Sequence, residues 1–568
     1  MNFRSCKYIL CFAFNFFIFL SQAQIIVPDT ICVNKPVEVS TDNNADYIFW
    51  HFCSGNLNTQ PEGKKIENLN LNEPAFISIV KKDSLYYGFV SNHQTGTISL
   101  LSFGDNLNNE PTSIDLGNYN DKVPKHTQGI QIIEDAGYWY CFVTGGQKED
   151  SKLTRINYGT DIENEPTVSE FYFPGVLDYP IDLEIMYDNN NWYGFSVNYN
   201  TGMLTKYDFG NSLANTPKAT NIGKQNTFTN PCGIAQHEEN GNKYLFITNF
   251  TGNTISKIDF GNSYANIPAI EHFAPNEQLL YPFDLSIIAD CEKTYGFVLN
   301  RYGDMVRMDF SSIDSEPEFV SQGKLDYLFN PQGISNVIRQ GDTLYSFVAN
   351  IDNSSISRIM YPTCAVASPS WAENSKNNTV VYSQTGNYNI RLETKTPDGT
   401  RTEYCKNVIV VENPEVELPE EVLLIPGEIA TLDAGSQHSS IKWSTGETSQ
   451  TINTVIYKWY YVTVTNEFGC ETTDSVEVKF AGIPEVITPN NDGFNDVFEL
   501  RFIEKYPETK VSIYDRFGNI VVSYKAIEYT WDGSYSNNTP VKPDTYWYVI
   551  DLGKDNNIQK GKISVIRN

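Results

Sequence analysis

The chain is poor in the residues and motifs from which catalytic and metal sites are usually built. It has six histidines in 568 residues, and no two of them show the His-x-x-x-His spacing of a metal site. It contains no Gly-x-Ser-x-Gly nucleophile elbow, no phosphate-binding Gly-Lys-Ser/Thr loop and no Cys-x-x-Cys pair. We therefore expect a protein that is not an enzyme, although an active site assembled from separate repeats stays open.

Positive charge is also scarce. The chain carries 41 lysines and arginines against 69 aspartates and glutamates, which gives a formal net charge of −28. Such a protein repels the phosphates of nucleic acids and of anionic lipids, so we expect no nucleic-acid partner. A high net charge also keeps a protein soluble, and the acidity needs no further explanation.

Long hydrophobic runs are absent after the N-terminus. Residues 1–23 contain Arg4 and Lys7, the apolar stretch from Tyr8 to Leu20 and the small residues Ser21 and Ala23, a pattern that predicts a signal peptide. A membrane anchor is the alternative, but the stretch is short and a cleavage site follows it. We expect no transmembrane segment in the mature chain. Its remaining cysteines would lie in an oxidising compartment, where disulfides persist.

Aromatic residues are abundant and occur in short repeated strands. They make up 13% of the chain, and Asn, Gly, Thr and Ser separate the apolar runs, which predicts an all-β protein. A Tyr-x-Phe triplet recurs six times at intervals of 50 to 53 residues, with its phenylalanine at Phe89, Phe142, Phe195, Phe246, Phe297 and Phe347. Because the triplet is present in every repeat, we interpret it as packing between repeats.

The repeat predicts a six-bladed β-propeller over residues 56–362. Each unit has four short strands separated by Gly- or Asn-rich turns, as propeller blades do. The last unit stops after its third strand, near Met360. A strand near Ile66 to Leu69 should therefore complete the sixth blade and close the ring.

Two sets of polar residues recur at the ends of the predicted strands and mark a candidate ligand face. Asp182 and Asp284 stand just before the phased apolar residue in the first strands of units three and five, where units two, four and six have Gly129, Gly233 and Gly333 and unit one has Phe76. The second set follows the Tyr-x-Phe strands and consists of Asn92, Asn198, Asn249, Asn300 and Asn350. Loops that enter strand one and leave strand two open on the same side, so we predict that these residues contact a ligand. Local capping hydrogen bonds are the alternative.

The segments that flank the propeller resemble two parts of one domain. Residues 24–55 include a strand with Trp50, and residues 363–412 include Gly386-Asn387-Tyr388-Asn389-Ile390. Together they resemble a polycystic-kidney-disease-type (PKD) immunoglobulin-like domain with the propeller inserted in it. Residues 413–480 have the alternating strands of a further immunoglobulin-like sandwich.

This split domain predicts two disulfides. Cys53 and Cys364 flank the insertion, and Cys32 and Cys405 lie on its first and last strands, which commonly neighbour each other in a sandwich. Each bridge would close a very long loop. Buried free thiols are the alternative for either pair.

The C-terminal residues 481–568 contain four motifs in a fixed order. They are Thr488-Pro489-Asn490-Asn491-Asp492-Gly493-Phe494-Asn495-Asp496, Tyr514-Asp515-Arg516-Phe517-Gly518, Trp531-Asp532-Gly533 and Tyr546-Trp547-Tyr548. They resemble the gliding-motility-associated C-terminal domain, the type B sorting signal of the type IX secretion system of Bacteroidota, although Asp544 stands where that family usually has Gly. The resemblance implies a β-sandwich sorting domain that engages the type IX secretion machinery. It implies a secreted protein or one on the outer face of the outer membrane.

The same segment holds the one cofactor site that the sequence suggests. Asn490, Asp492 and Asp496 could supply oxygen ligands to Ca²⁺, but the run lacks the spacing and the final Glu of an EF-hand loop. A metal-free turn stabilised by Asx side chains is the alternative.

The sequence thus predicts a non-enzymatic binding or adhesion protein. The propeller would present the ligand face to an unidentified glycan or protein. The alternative is a secreted hydrolase or lyase that acts on polysaccharide or peptide, with Asp182 and Asp284 as its acids.

Overall fold

The computed structural model describes residues 25–274, 277–291, 293–362, 364–396, 401–425, 428–501, 503–553 and 558–567. The predicted signal peptide lies outside these residues. The chain forms two compact units, which meet in the sequence between Val410 and Val411. No helix in the described ranges is long and apolar enough to cross a membrane.

Four strands precede the propeller: β1 (Ile25–Ile26), β2 (Thr30–Cys32), β3 (Pro36–Thr41) and β4 (Tyr47–Ser54). They pair mainly with strands that follow the propeller in the sequence, as described below.

The propeller begins with β5 (Glu62–Ile66) and continues through blades of four strands. Blade one comprises β6 (Pro74–Lys82), β7 (Leu85–Asn92), β8 (Thr97–Gly104) and β9 (Thr112–Gly117). Blade two comprises β10 (Thr127–Asp135), β11 (Tyr138–Gly145), β12 (Lys152–Gly159) and β13 (Thr167–Tyr172), with a 3₁₀ turn at Lys148–Asp150. Blade three comprises β14 (Pro180–Asp188), β15 (Asn191–Asn198), β16 (Met203–Gly210) and β17 (Lys218–Ile222).

Blade four comprises β18 (Pro231–Glu239), β19 (Asn242–Asn249), β20 (Thr254–Asp259) and β21 (Ala269–Phe273). Blade five comprises β22 (Pro282–Asp290), β23 (Lys293–Asn300), β24 (Asp304–Phe310) and β25 (Glu318–Lys324). Blade six has an interrupted first strand, β26 (Pro331–Ile334) and β27 (Ile338–Gln340), followed by β28 (Thr343–Asn350) and β29 (Ser355–Tyr361).

The six sheets close into a ring. The first strands β6, β10, β14, β18, β22 and β26 contact one another in that order, and β26 contacts β6. The fourth strand of blade six is β5, which pairs antiparallel with β29 and places Ile66 opposite Ile356. The sequence predicts this strand near Ile66 to Leu69. In the structure β5 ends at Ile66, which is the last of its residues that pairs with β29.

The Tyr-x-Phe phenylalanines form the packing between blades. All six are at most 1% exposed. The ring centroid of Phe142 lies 5.3 Å from that of Phe209 in the next blade. The corresponding centroid distances are 5.5 Å from Phe246 to Phe310 and 4.9 Å from Phe347 to Phe103, where the ring closes. The phenylalanine of each triplet therefore packs against an aromatic ring at the end of the third strand of the neighbouring blade. This contact explains why every repeat has the triplet phenylalanine and the aromatic residue that ends the third strand.

The remaining strands of the first unit are β30 (Ala367–Ser368), β31 (Trp371–Glu373), β32 (Asn377–Tyr382), β33 (Gly386–Lys395) and β34 (Arg401–Val411). They form two sheets with the N-terminal strands, in the orders β1-β3-β32-β30 and β2-β34-β33-β4-β31. Trp50 and Ile390 are fully buried between them. The propeller is thus inserted in an immunoglobulin-like β-sandwich.

Of the two predicted disulfides, the structure contains one. Cys53 and Cys364 are bonded, with Cα atoms 5.3 Å apart. The Cys32–Cys405 prediction is wrong, because Cys405 pairs with Cys291 in the turn after β22, with Cα atoms 5.0 Å apart. This bond joins strand β34 of the sandwich to blade five of the propeller. The free cysteines of the described residues, Cys141 and Cys232, are buried.

The second unit contains two groups of strands. The first is β35 (Glu421–Leu424), β36 (Ala430–Asp433), β37 (Ser440–Trp443), β38 (Thr451–Thr454), β39 (Lys458–Thr465) and β40 (Glu471–Phe480), in sheets β35-β40-β39-β37 and β36-β38 around buried Trp443. The second is β41 (Val486–Ile487), β42 (Lys510–Tyr514), β43 (Ile520–Lys525), β44 (Asp544–Asp551) and β45 (Ile558–Val565), with a 3₁₀ turn at Ile503–Lys505. These strands form the sheet β41-β45-β44-β42-β43, whose core includes Trp531 and Phe498.

Candidate functional site

Each blade contributes two backbone positions to one mouth of the propeller. The residue before each first strand has a left-handed backbone with φ between 48° and 55°, and these residues are Glu73, His126, Tyr179, Asn230, Tyr281 and Asn330. In five blades its carbonyl accepts the N–H of the residue after the second strand, namely His93, Tyr199, Phe250, Arg301 and Ile351. A left-handed backbone is unfavourable for residues other than glycine. Holding these six side chains at the mouth therefore costs conformational free energy.

The predicted asparagines hold this arrangement together through hydrogen bonds within each blade. All five are buried. In blade four, Asn249 accepts the N–H of Thr229 at 3.1 Å and donates to Ser256 Oγ at 2.7 Å. The other four make the corresponding bonds to the loop before strand one and to a neighbouring strand or loop. These bonds match the alternative, capping of the turns, and the ligand-binding role of the five asparagines stays a prediction.

A cavity of about 620 Å³ opens at this mouth. Aromatic rings form an arc along it: Tyr179 and Tyr199 lie 5.9 Å apart, and Phe250 and Tyr281 lie 5.2 Å apart. The arc continues to Tyr302, 6.0 Å from Tyr281. A second cavity of about 760 Å³, the outer cavity, shares Phe250 and Arg301 with the first, so the two adjoin; together we call them the groove.

Two polar side chains stand out in the mouth cavity. The guanidinium of Arg301 lies over the Phe250 ring, 5.5 Å from its centroid, and among the described residues no carboxylate lies within ion-pair distance of it. Gln128 is 4% exposed, and its Oε1 has no hydrogen-bond partner within the described chain. Its Nε2 lies 3.1 Å from the hydroxyl of Tyr179 and 2.9 Å from Nδ1 of His93. An unpaired buried acceptor is costly, and Gln128 is one of the residues that line the cavity.

Burial lowers the pKa of His93, and the neighbouring His126 ring lowers it further. The two imidazoles lie 5.0 Å apart, so neutral His93 is favoured and can accept the hydrogen bond of Gln128.

Asp182 and Asp284 lie one layer below the mouth, inside the central channel. Asp182 accepts the N–H of its neighbour Leu183 at 2.8 Å and that of Ile234 in the next blade at 2.9 Å. Asp284 makes the same pair of bonds, with Ile334 of blade six at 2.7 Å. Both are buried, so the prediction that they approach a ligand at the mouth is corrected: they link neighbouring blades.

The alternation of glycine and large residues narrows the channel at this layer. A Cβ on Gly129 would lie 2.7 Å from Cα of Asp182, and one on Gly333 would lie 2.7 Å from Cα of Phe76. Blades two, four and six therefore need glycine where the other blades place Phe76, Asp182 and Asp284. What remains is a small cavity of about 110 Å³.

The channel brings acidic groups of different blades together. Burial raises the pKa of Asp182 to about 7, and a hydrogen bond with Asp284 moderates this shift. Burial, together with the charge of Asp182, raises the pKa of Asp284 well above its usual range. Burial and Asp182 likewise raise the pKa of Glu184. Burial therefore favours the protonated form of both carboxyl groups in the channel.

The candidate Ca²⁺ ligands form a closed loop in the second unit. Asp496 accepts the N–H groups of Asn490 at 3.0 Å, Asn491 at 2.7 Å and Gly493 at 2.8 Å. Asp492 accepts from the side chain of Asn490 at 2.7 Å. The N–H groups thus occupy the carboxylate oxygens of Asp492 and Asp496 that would have to bind a cation. The described residues contain no cluster of three or more acidic, His or Cys side chains that could hold a metal ion.

Sequence reasoning missed the residues of the mouth because they differ from blade to blade. A signal was present, since proline follows the left-handed residue in five of the six blades: Pro74, Pro180, Pro231, Pro282 and Pro331. That recurring proline marks the entry to each first strand.

Solved structures with some similarity to the chain include propeller proteins of several kinds. An AofleA mutant from Arthrobotrys oligospora is 11% identical, with 62% of this chain and 94% of that chain covered and a TM-score of 0.38. A GH43_1 enzyme from Xanthomonas citri complexed with xylose is 11% identical, with 60% and 93% covered and a TM-score of 0.31. The Trypanosoma rangeli sialidase in complex with the inhibitor DANA is 9% identical, with 51% and 55% covered and a TM-score of 0.35. Likenesses this weak say nothing about function.

No curated protein matches the chain. A family model matches its C-terminal part, where the four motifs occur: residues 481–565 match the CHU_C type IX secretion signal domain. The chain is therefore a cargo of type IX secretion, either secreted or attached to the outer membrane.

Proposed function

We propose that this protein is a non-enzymatic binding or adhesion protein that recognises a glycan at the mouth of its six-bladed propeller. The observation that carries the proposal is the mouth cavity, where an arc of aromatic rings adjoins Gln128 and Arg301. Aromatic faces pack against the C–H faces of sugar rings, while the amide and the guanidinium bond to hydroxyl groups. Cavities of this size and mixed lining are typical of ligand sites.

The length of the groove supports a ligand of more than one sugar unit. Arg301 and Phe250 lie where the two cavities join, and Tyr302 and Phe329 line only the outer one. A chain that follows the groove would pass over Arg301 and contact the aromatic arc on both sides of it.

The alternative, a hydrolase or lyase, finds less support in the same geometry. Its candidate acids Asp182 and Asp284 each accept two backbone N–H groups below the floor of the mouth cavity. A general acid has to reach the bond that it cleaves, and these carboxyl groups are already committed to links between blades.

The rest of the chain fits a delivery and spacing role. We propose that residues 1–23 are a signal peptide and that the sandwich interrupted by the propeller is PKD-like. Residues 413–480 would act as an immunoglobulin-like spacer. The C-terminal domain would be a type B signal, and its Asn490–Asp496 loop a metal-free turn, with Ca²⁺ as the alternative.

The test compares two exposed tyrosines on opposite ends of the ring. Tyr281 lines the outer cavity, whereas Tyr138 lies at the turn between β10 and β11, the opposite end of its blade. On an array of plant, fungal and bacterial glycans, we expect Tyr281→Ala to weaken binding of the full mature chain by roughly tenfold and Tyr138→Ala to leave it unchanged. Equal binding by both variants, or substrate turnover that Asp182→Asn removes, would contradict the proposal.

A further inference from the structure

A second cleft, of about 440 Å³, lies where the sandwich meets blade six. Phe49 and His51 of β4 and Trp371 of β31 form its sandwich side. Asp342, in the turn between β27 and β28, forms its propeller side, and the Cys53–Cys364 disulfide completes the wall. None of these residues belongs to the mouth of the propeller.

The aromatic part of the cleft is a rigid stack with an open face. The rings of Phe49 and Trp371 are parallel within 6°, with centroids 5.7 Å apart. Trp371 is nevertheless 56% exposed, because β31 is the edge strand of its sheet. A large ring that is fixed by stacking and left open to solvent offers a flat apolar surface to a ligand.

The polar part of the cleft is a network of His51, Asp342 and Glu393. Nδ1 of His51 lies 2.6 Å from a carboxylate oxygen of Asp342, and its Nε2 lies 3.4 Å from Glu393. Glu393 also lies 4.0 Å from the guanidinium of Arg391. Arg391 is also paired with Glu403, and the carboxylates of Asp342 and Glu393 offer acceptor oxygens to the hydroxyl groups of a ligand.

The walls of the cleft come from two domains, yet several bonds fix their spacing. The Cys291–Cys405 disulfide joins sandwich to propeller, and the Cys53–Cys364 disulfide links the two sandwich segments at the points where the chain enters and leaves the propeller. Arg339 pairs with Asp290 at 2.6 Å and donates to Ser54 Oγ at 2.9 Å, and Arg391 donates to the carbonyl of Gly341 at 3.1 Å. A site that is rigid before binding loses little entropy when a ligand enters.

We propose that this cleft is a second binding site of the protein and that it takes one pyranose unit of a neutral glycan. The C–H face of the sugar lies on Trp371, and its hydroxyl groups donate to the carboxylate of Asp342, which His51 holds in place. A pyranose offers this combination, a flat apolar face bordered by hydroxyl groups. The site is independent of the propeller mouth, so the mature chain binds glycan at two places.

The test titrates the full mature chain with three hexasaccharides, built from β-1,4-linked glucose, xylose or N-acetylglucosamine, by isothermal calorimetry. For a hexasaccharide that the wild type binds, we expect Trp371→Ala to weaken binding at this site by roughly tenfold and Asp342→Asn by a smaller factor. The control is Trp459→Ala, since Trp459 is similarly exposed but belongs to the second unit. Circular dichroism and a count of free thiols check that each variant is folded.

Two results overturn the inference: a wild type that binds none of the three hexasaccharides, and a Trp371→Ala variant that binds all of them like the wild type. The Tyr281→Ala variant separates this inference from the proposal for the mouth. If it binds like the wild type while Trp371→Ala does not, the mouth proposal fails and the cleft stands. If the reverse holds, the cleft fails alone.

Discussion

The interior of the blades and the mouth of the propeller occupy equivalent positions in every repeat but vary in opposite ways. Inside, each blade keeps the phenylalanine of its Tyr-x-Phe triplet, and five keep the capping asparagine. At the mouth, the same left-handed position holds Glu73, His126, Tyr179, Asn230, Tyr281 and Asn330. Residues repeated in all blades therefore build the ring. Residues that differ from blade to blade at an equivalent position are the better candidates for contact with a ligand.

The largest effect should come from the repeated interior. Phe246→Ala removes a fully buried ring that packs on Phe310 of the next blade, and we expect a loss of about 3 to 5 kcal/mol in the free energy of unfolding. Tyr302→Ala, at the mouth, should cost less than about 0.5 kcal/mol because its ring is 61% exposed. Denaturant unfolding measures both values. Similar losses would show that the mouth is also structural.

Replacing a capping asparagine should lower the free energy of unfolding by a smaller amount. Asn249→Ala leaves the N–H of Thr229 without its acceptor and removes one of the two hydrogen bonds of the Ser256 hydroxyl, which keeps its bond to His272; this should cost about 2 kcal/mol. We expect glycan binding by the folded variant to remain that of the wild type. A selective loss of binding with unchanged stability would instead restore the ligand role first predicted for this series.

The channel acids give the first unit a distinct pH dependence. Because the pKa of Asp182 rises to about 7 in the folded state, its contribution to stability is present below its unfolded pKa, near 3.8, and is lost as pH rises through about 7. Asp284 acts in the same direction. Calorimetry of the full chain from pH 5 to pH 8 should show the transition of the larger unit moving to lower temperature.

The second unit offers the contrast. Hydrogen bonds from backbone N–H groups lower the pKa of Asp496, so its contribution is present above the unfolded pKa and is lost as pH falls through the folded one. A transition of the first unit that does not move between pH 5 and pH 8 would show that Asp182 and Asp284 titrate normally.

The smallest expected effect concerns calcium. Since Asp496 already accepts three backbone N–H groups, adding Ca²⁺ or a chelator should shift the melting temperature of the second unit by less than about 1 °C. A rise of several degrees with Ca²⁺ would show that the loop reorganises around a cation.

The sequence predicted the parts of the fold that depend on periodic spacing. The interval between Tyr-x-Phe triplets indicated the blades, and the early end of the last repeat indicated that β5 completes the ring. Cys291–Cys405 could not be predicted in this way, because it depends on how the sandwich docks on the propeller and leaves no trace in spacing. The Cys53–Cys364 pair was predictable because both residues flank the insertion.

The candidate site was harder to predict, because one residue type can serve two purposes at the same point of a strand. An asparagine at the end of a strand can face a ligand or cap its own turn. The burial of Asn249 and of the four equivalent asparagines favours capping, and the sequence does not show that burial. Asp182 and Asp284 were rightly singled out as different from Gly129 and Gly233. Their depth in the channel followed from how closely the inner strands approach, which a sequence does not show.

The disulfide between Cys53 and Cys364 has a mechanical consequence. It joins the chain just before and just after the propeller, across a sequence separation of 311 residues. A pulling force along the chain at these points would pass through the covalent sulfur link and not through the hydrogen bonds between β5 and β29. A protein that grips a surface under flow could thus bear tension while its ring stays closed, and would lose that protection in a reducing medium.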